Sequence, residues 1–281
     1  MSNMHSDNNN ANDILIEAMR SIGKGNLSER VGTWPQEPYD QLFREFDAMA
    51  ASLEETDSLS ESFLVTAAHE LKTPLSYIQG YSTLLQDTEL DDEERSKYLK
   101  GIITATKHAS LLIGSLLQTF ALEQSASLEE THRFSLDEQL RHVMAIFIPH
   151  IQGKGLRYDI DLDVADIDGD ESLLETVWTN LIGNAVKYTP AGGTISVELV
   201  KHDNRAVITV SDTGEGLDED QLEHAFDRFF RGNNDNKPDG FGLGLPITKT
   251  IVLKHQGTID IASKPNCGTV LTVCLPLAQK A

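Results

Sequence analysis

Apolar residues in the first half of the chain recur at alternating steps of four and three. Leu42, Phe46, Met49 and Leu53 form one such stripe, and Leu64, Ala68, Leu71, Leu75, Ile78, Ser82 and Leu85 form a second. A third runs through Leu99, Ile102, Thr106, Ala109, Ile113, Leu116 and Phe120. This spacing gathers apolar side chains into one seam per helix and predicts helix-on-helix packing. An acidic turn, Asp87 to Glu94, separates the second stripe from the third, which predicts an antiparallel hairpin. A lone hairpin leaves its stripes open to water, so two copies are expected to close a four-helix bundle. The first two stripes differ in phase: continuing Leu42 to Leu53 leads to Thr56, Ser60, Phe63 and Ala67, one residue behind Leu64 and Ala68.

After a short polar linker, Gln124 to Ser127, the pattern becomes mixed. His132 to Leu136 reads as an edge strand, and Leu140, Val143, Phe147 and Ile151 give a helix one apolar face. Asp170 to Tyr188 reads as a helix, and Arg157 to Asp163, Thr194 to Val200, Arg205 to Ser211, Gly257 to Ser263 and Thr269 to Leu275 read as strands. Helices gathered on one face of such a sheet predict an α/β sandwich.

Composition narrows the partners. The 281 residues leave room for more than one folded unit, and 44 acidic against 23 basic residues, a net charge of -21, speak against a nucleic-acid partner. Two cysteines, Cys267 and Cys274, give no disulfide framework and read as small buried residues of a reducing compartment. No run approaches the roughly 18 to 20 apolar residues that span a bilayer, so no membrane span is expected and the chain reads as cytoplasmic, either a soluble protein or the cytoplasmic portion of a membrane sensor.

Candidate chemistry lies at five places. With Ala68 at heptad position a and Leu71 at d, His69 falls at b and Thr73 at f, outside the seam and open to another protein, with Glu70 beside the histidine and Pro74 after the threonine. A histidine alone on a helix is more often only solvated. On the Asp170 to Tyr188 helix, Asn180, Asn184 and Lys187 line one side; a side-chain amide there either satisfies backbone groups or offers an oxygen to Mg²⁺. Asp212-Thr213-Gly214-Glu215-Gly216 follows a strand, where a tight turn competes with a carboxylate that accepts from an exocyclic amine. Phe226-Asp227-Arg228-Phe229-Phe230-Arg231 sets two cations among aromatics. Gly240-Phe241-Gly242-Leu243-Gly244-Leu245 precedes a helix, whose N-terminus and glycine amides suit phosphate. That loop is no dinucleotide fingerprint, because a polar segment, 233–239, stands where a strand is needed, and His69-Glu70 opens no zinc motif, because Thr73 holds the second histidine's place.

In order, His-Glu-Leu-Lys-Thr-Pro, Asn-Leu-Ile-Gly-Asn-Ala-Val-Lys-Tyr, Asp-Thr-Gly-Glu-Gly, Phe-Asp-Arg-Phe-Phe-Arg and Gly-Phe-Gly-Leu-Gly-Leu resemble the H, N, G1, F and G2 boxes of a two-component sensor histidine kinase. Upstream, two helical patterns joined by Gly25-Asn26-Leu27-Ser28-Glu29-Arg30-Val31 resemble a HAMP signalling module. The resemblance implies a multidomain α and α+β chain: a disordered start over 1–12, a HAMP-like module over 13–56, a dimerisation and phosphotransfer hairpin over 57–124, and a GHKL-type ATPase domain, an α/β sandwich, over 128–279. It implies ATP and Mg²⁺, with Asn184 as metal ligand and Asn180 in support. Lys187, Arg228 and Arg231 would meet phosphate, Tyr188 would pack near the base, and Asp212, with Gly214 and Gly216, would accept the adenine amine. Gly240, Gly242, Leu243, Gly244 and Leu245 would close a mobile lid, and Thr269 would assist at the adenine. Ala68 stands where the family often has serine and Gln256 where it has glycine, and the lid is short.

Phosphoryl transfer needs positioning and charge neutralisation more than covalent chemistry. The resemblance implies that a neutral His69 imidazole attacks through Nε2 while Glu70 accepts from Nδ1, and that the phosphoryl group passes to an aspartate of a response regulator receiver domain. It implies a further role for Thr73, orienting a water that dephosphorylates the regulator. Two competing readings are an ATP-gated interaction module or phosphatase with little kinase activity, and a purely structural dimeric hairpin, which leaves the glycine boxes unexplained.

Overall fold

In the computed structural model the described residues are 14, 17, 18, 21, 28–32, 43, 44, 46–48, 50, 61–87, 90–124, 128, 130–231 and 240–278, the side chains of 61, 62 and 64 apart. The chain divides into two units, Met1–Gln124 and Ser125–Ala281. The expected disordered start, most of the HAMP-like connector, and the phase break over 54–60 lie outside the described residues. Among the described residues of 13–56, Phe43, Phe46 and Ala50 are buried, and both Asp47 carboxylate oxygens accept backbone amides, from Val31 at 2.7 Å and Gly32 at 2.8 Å.

The hairpin consists of α1 (Glu61–Leu84) and α2 (Asp92–Gln124). Asp91 accepts the Glu94 amide at 2.7 Å, and Asp92, Glu93 and Glu94 occupy the first turn of α2, where negative charge suits the positive end of the helix dipole. The antiparallel pairing is held by edge-on contact of Phe63 with Phe120 at one end, centroids 5.8 Å apart, and by stacking of Tyr81 on Tyr98 at the other, 5.9 Å apart. Leu71, Leu75 and Ile78 are buried as the seam predicts, together with Ala109, Ile113, Leu116 and Phe120.

Two seam positions depart from expectation. At the start of α1 the buried residues are Phe63 and Ala67, the phase carried over from the N-terminal stripe, while Ala68 is only half-buried. The Phe63 ring decides this, because its partner Phe120 lies across the hairpin. Near the tip Leu99 is 48% exposed, since Tyr81 fills the space over the bare Gly101 backbone, its ring about where a Cβ would stand.

In the second unit β1 (His132–Ser135) and β3 (Asp166–Gly169) form a two-stranded antiparallel ribbon. The expected edge strand at His132 therefore does not join the main sheet. That sheet has five strands in the order β2 (Arg157–Leu162), β4 (Thr194–His202), β5 (Arg205–Asp212), β7 (Thr269–Pro276) and β6 (Thr258–Ser263), with β2 parallel to β4 and the rest antiparallel. Alternation shows which face is covered: Ile195, Val197, Leu199, Ala206, Ile208, Val210, Leu271, Val273 and Leu275 are buried, while their neighbours are half-buried or exposed. Helices α3 (Leu136–Gly153), α4 (Glu171–Tyr188) and α6 (Gly244–Lys254) cover that face, and a short α5 (Glu219–Glu223) starts at an Asp218 and Gln221 capping box. Neither cysteine is buried. Cys267 is exposed in the β6–β7 turn, and Cys274 takes the strand positions whose side chains face away from the helices.

Candidate active site

The site in the second unit is organised by α4, and that helix is fixed at both ends. Asp170 caps it by accepting the Leu173 amide at 3.1 Å, and the Asp170 amide in turn donates to His255 Nε2 at 3.0 Å. His255 Nδ1 lies 2.8 Å from the Ile251 carbonyl, so the neutral Nδ1–H tautomer satisfies both contacts; burial pushes this imidazole below its ordinary pKa. Buried Trp178 gives its one N–H to Gln139 at 2.8 Å, and Gln139 donates to the Glu171 carbonyl at 2.6 Å. At the other end Lys154 Nζ donates to the Val186 and Lys187 carbonyls, both at 2.8 Å, closing the last turn. Lys154 was not among the sequence candidates; only its position just after a helix could have signalled it.

From this anchored helix the predicted side chains point toward one region. Asn180 Nδ2 donates to the Gly244 carbonyl at 3.3 Å and approaches Thr248 Oγ1 at 3.5 Å, which ties α4 to the start of α6. Asn184 is half-buried and its side chain makes no hydrogen bond among the described residues, leaving a hard amide oxygen available. Lys187 Nζ lies 4.7 Å from the Tyr188 ring centroid and 3.1 Å from where a Cβ on Gly240 would stand, so the lysine and the start of the glycine loop meet. Helix α6 opens with no acidic residue in its first turn and no side-chain cap, so the leading amides remain for an anion. Leu243 is buried and can contribute only its backbone, whereas Leu245 is half-buried.

The strand ends supply the other side. Asp212 Oδ1 accepts the Gly214 amide at 2.7 Å, and its carboxyl is pushed above the usual aspartate range by burial, with the Gly214 and Thr269 amides acting in the opposite direction. Gly214 must lack a side chain, since a Cβ there would stand 2.6 Å from both the Tyr188 carbonyl oxygen and Asp212 Oδ1; this close approach seats the Asp212 turn against the end of α4. Gly268 is similar: its φ is +83° and a Cβ would collide with the Asp212 carbonyl, so the β6–β7 turn rests directly on the Asp212 turn. The Asn266 amide adds a 2.6 Å bond to the Glu215 carbonyl. Beside the glycine loop the Phe229 amide donates to the Gly242 carbonyl at 3.0 Å, and Arg231 sits 5.7 Å from the Phe241 ring centroid. Arg228 is exposed, and residues 232–239 lie outside the described residues.

On the hairpin the His69 side chain is 78% exposed, and Thr73, one turn on, is also exposed, as their heptad positions predict. Glu70 Oε1 stands 4.0 Å from His69 Nδ1, an electrostatic neighbour beyond hydrogen-bond length, so the expected Nδ1 bond is absent in this arrangement. Pro74 lies inside α1 and is buried, with no N–H for the Glu70 carbonyl.

Residues 59–125 match the His Kinase A (phospho-acceptor) domain, and residues 169–279 match the histidine kinase-, DNA gyrase B-, and HSP90-like ATPase family. The chain belongs to the sensor histidine kinases. This chain is 31% identical over 270 residues to the heme sensor protein HssS of Staphylococcus saprophyticus, covering 95% of this chain and 57% of HssS. It spans about half the length of the curated relatives it matches. Among solved structures, full-length ShkA in complex with AMPPNP is 27% identical with a TM-score of 0.59, covering 76% of this chain and 45% of ShkA. The histidine kinase ThkA in complex with the response regulator protein TrrA shares the fold, with a TM-score of 0.66 at 23% identity, covering 83% of this chain and 66% of ThkA. No helix among the described residues is long and apolar enough to cross a membrane.

Proposed function

We propose that the chain phosphorylates itself on His69 with ATP and passes the phosphoryl group to an aspartate on a response regulator. The observation that carries this reading is the exposed His69 on a packed hairpin, in a chain whose second unit assembles the nucleotide boxes around one anchored helix. Nε2 forms the N–P bond as the bond from the γ-phosphorus to the bridging oxygen breaks and ADP leaves, and the Nδ1 proton passes to Glu70, whose Oε1 stands 4.0 Å from Nδ1. Lys187, Arg231 and Arg228 balance phosphate charge, the α6 amides hold phosphate oxygens, and Asp212 with Thr269 reads the adenine. The free Asn184 oxygen fits Mg²⁺, which takes few protein ligands beside phosphate and water, and the bound ion would neutralise phosphate charge. Among the described residues no cluster of three acidic, histidine or cysteine side chains offers a rival metal cage.

The ShkA complex with a nucleotide analogue supports the nucleotide assignment. The receiver-domain partner rests on the resemblance of the histidine box, as does the dephosphorylating role of Thr73. Incubation with γ-labelled ATP tests the reading: acid-labile, base-stable label on the protein, lost on addition of a receiver domain and later released, is the expected outcome. Free phosphate without protein label would establish an ATPase instead.

The hairpin is also proposed to pair with a second copy, with residues 13–56 forming a HAMP-like module above it. Leu99, Ile103 and Leu111 on α2 are 48%, 55% and 64% exposed, apolar area that one chain leaves open. Light scattering is expected to give twice the 31.0 kDa chain mass, and a monomer at micromolar concentration would rule the bundle out.

A further inference from the structure

Across the floor of the nucleotide site the sheet register aligns three polar side chains. Ser263 on β6 pairs with Thr269 on β7, and Thr269 pairs with Asp212 on β5. Thr269 and Asp212 continue the strand faces that bury Leu271 and Val210 beneath the helices, so their side chains stand together on the site's side of the sheet.

Hydrogen-bond capacity then fixes the direction of each hydroxyl. A serine hydroxyl has one proton and two lone pairs. Ser263 Oγ meets the Leu217 amide at 2.8 Å, the Gly268 carbonyl at 2.8 Å and Thr269 Oγ1 at 3.0 Å. The amide can only donate and the carbonyl can only accept. Ser263 therefore gives its proton to Gly268 and accepts from Leu217, and its remaining lone pair faces Thr269, whose hydroxyl becomes the donor. With its proton turned toward Ser263, Thr269 Oγ1 presents lone pairs alone to the site, next to the Asp212 carboxylate.

We propose that Ser263 is a specificity-determining positioning residue: by holding the Thr269 proton it makes Thr269 and Asp212 a pair of acceptors, which selects a purine bearing a 6-amino group over one bearing a 6-oxo group. The inference rests on the reading of this site as one for an adenine nucleotide. The amine donates to these acceptors, whereas a 6-oxo oxygen meets lone pairs head on. Ser263 touches no nucleotide in this scheme; it acts through Thr269, and the same bonds tie the Asp212 turn, through Leu217, to the β6–β7 turn.

Equilibrium binding of ATP and of ITP to the full chain tests it, since ITP keeps the purine ring and the triphosphate while the 6-amine becomes an oxo group and N1 becomes an N–H donor. Wild type is expected to prefer ATP. In Ser263→Ala the Thr269 hydroxyl is released to donate to the 6-oxo group, and the ATP:ITP affinity ratio is expected to fall about tenfold, the scale of one hydrogen bond changed from opposed to made. Ser263→Thr keeps a hydroxyl and is expected to keep the ratio. A merely structural serine would weaken both nucleotides in parallel, and an unchanged ratio in Ser263→Ala overturns the proposal. Thr269→Val guards against a misfolded alanine variant: its ratio should fall on its own, and adding Ser263→Ala should change it no further. A Thr269→Val ratio equal to wild type also overturns the proposal. Equal wild-type affinities for ATP and ITP would remove this inference and leave the site reading intact, whereas binding of neither would remove both.

Discussion

Replacing His69 by glutamine is expected to abolish incorporation of labelled phosphate while ATP affinity stays at the wild-type value. The reason is a division of labour between units. His69 lies in the unit 1–124, and every residue assigned to the nucleotide lies in the unit 125–281, so the substitution removes the acceptor nitrogen without removing an ATP contact. Stability should also be conserved, because the side chain is 78% exposed on α1 and glutamine is a good helix former; exposed substitutions of this kind shift stability by about 0.5 kcal/mol or less. The loss should be complete to the limit of detection, since no positioning effect compensates for a missing nucleophile. The hairpin's other histidine, His108, is half-buried on α2. Label that persists in the His69→Gln protein and maps to His108, or to any other residue, would show that the acceptor is misassigned.

Much of this arrangement is legible in the sequence, for identifiable physical reasons. Long elements with a strong apolar period were readable: α4 runs Glu171–Tyr188 with Asp170 as its cap, against an expected Asp170 to Tyr188. The alternating strands from Thr194 onward are each found within a residue or two of expectation, because a sheet covered on one face imposes a period of two. What escaped was set by contacts distant in sequence. Strand β3 is four residues, Asp-Ile-Asp-Gly, whose strand character comes from antiparallel pairing with β1 earlier in the chain, Phe134 facing Ile167 and Arg133 facing Asp168 in the middle of the ribbon. The phase at the start of α1 was decided by one ring pair, Phe63 on Phe120, which a heptad count cannot weigh against Leu64.

The candidate site divides along the same line. Asn184, Asp212 and the glycine loop stand out in the sequence because their residue types offer an amide oxygen, a carboxylate and open backbone amides. Lys154 and Ser263 were missed because a lysine after a helix and a serine at a strand end are common surface residues, and only the fold brings them to the Lys187 carbonyl and the Thr269 hydroxyl. His255 belongs with them, since its partner Asp170 is 85 residues away. Gln256, where the resemblance leads one to expect glycine, adopts φ +57°, so the backbone there keeps the left-handed turn that glycine favours even though the side chain has changed.

Asp212→Asn is expected to weaken ATP binding by about 100-fold, roughly 3 kcal/mol, while leaving thermal stability unchanged or raised at neutral pH. The two effects have one cause. Burial holds the Asp212 carboxyl above its ordinary pKa, so between that ordinary value and the raised one the folded chain keeps a proton that the unfolded chain has released. Stability contributed by this group is therefore greatest at low pH and falls as pH rises through the window, and above it the ionised carboxylate is a cost to the fold. Asparagine keeps an oxygen for the Gly214 amide and carries no charge, which removes that cost. For binding the signs reverse. An adenine amine needs an acceptor, and with its oxygen on Gly214 the asparagine turns an NH₂ toward that amine, setting donor against donor. Wild-type ATP affinity should accordingly decline as pH falls through the raised Asp212 pKa, and that limb should be flat in Asp212→Asn. Calorimetric titration with ATP across pH, paired with thermal melts of both proteins, separates the outcomes: an asparagine variant that melts lower and binds ATP normally would mean that Asp212 serves the fold and not the base.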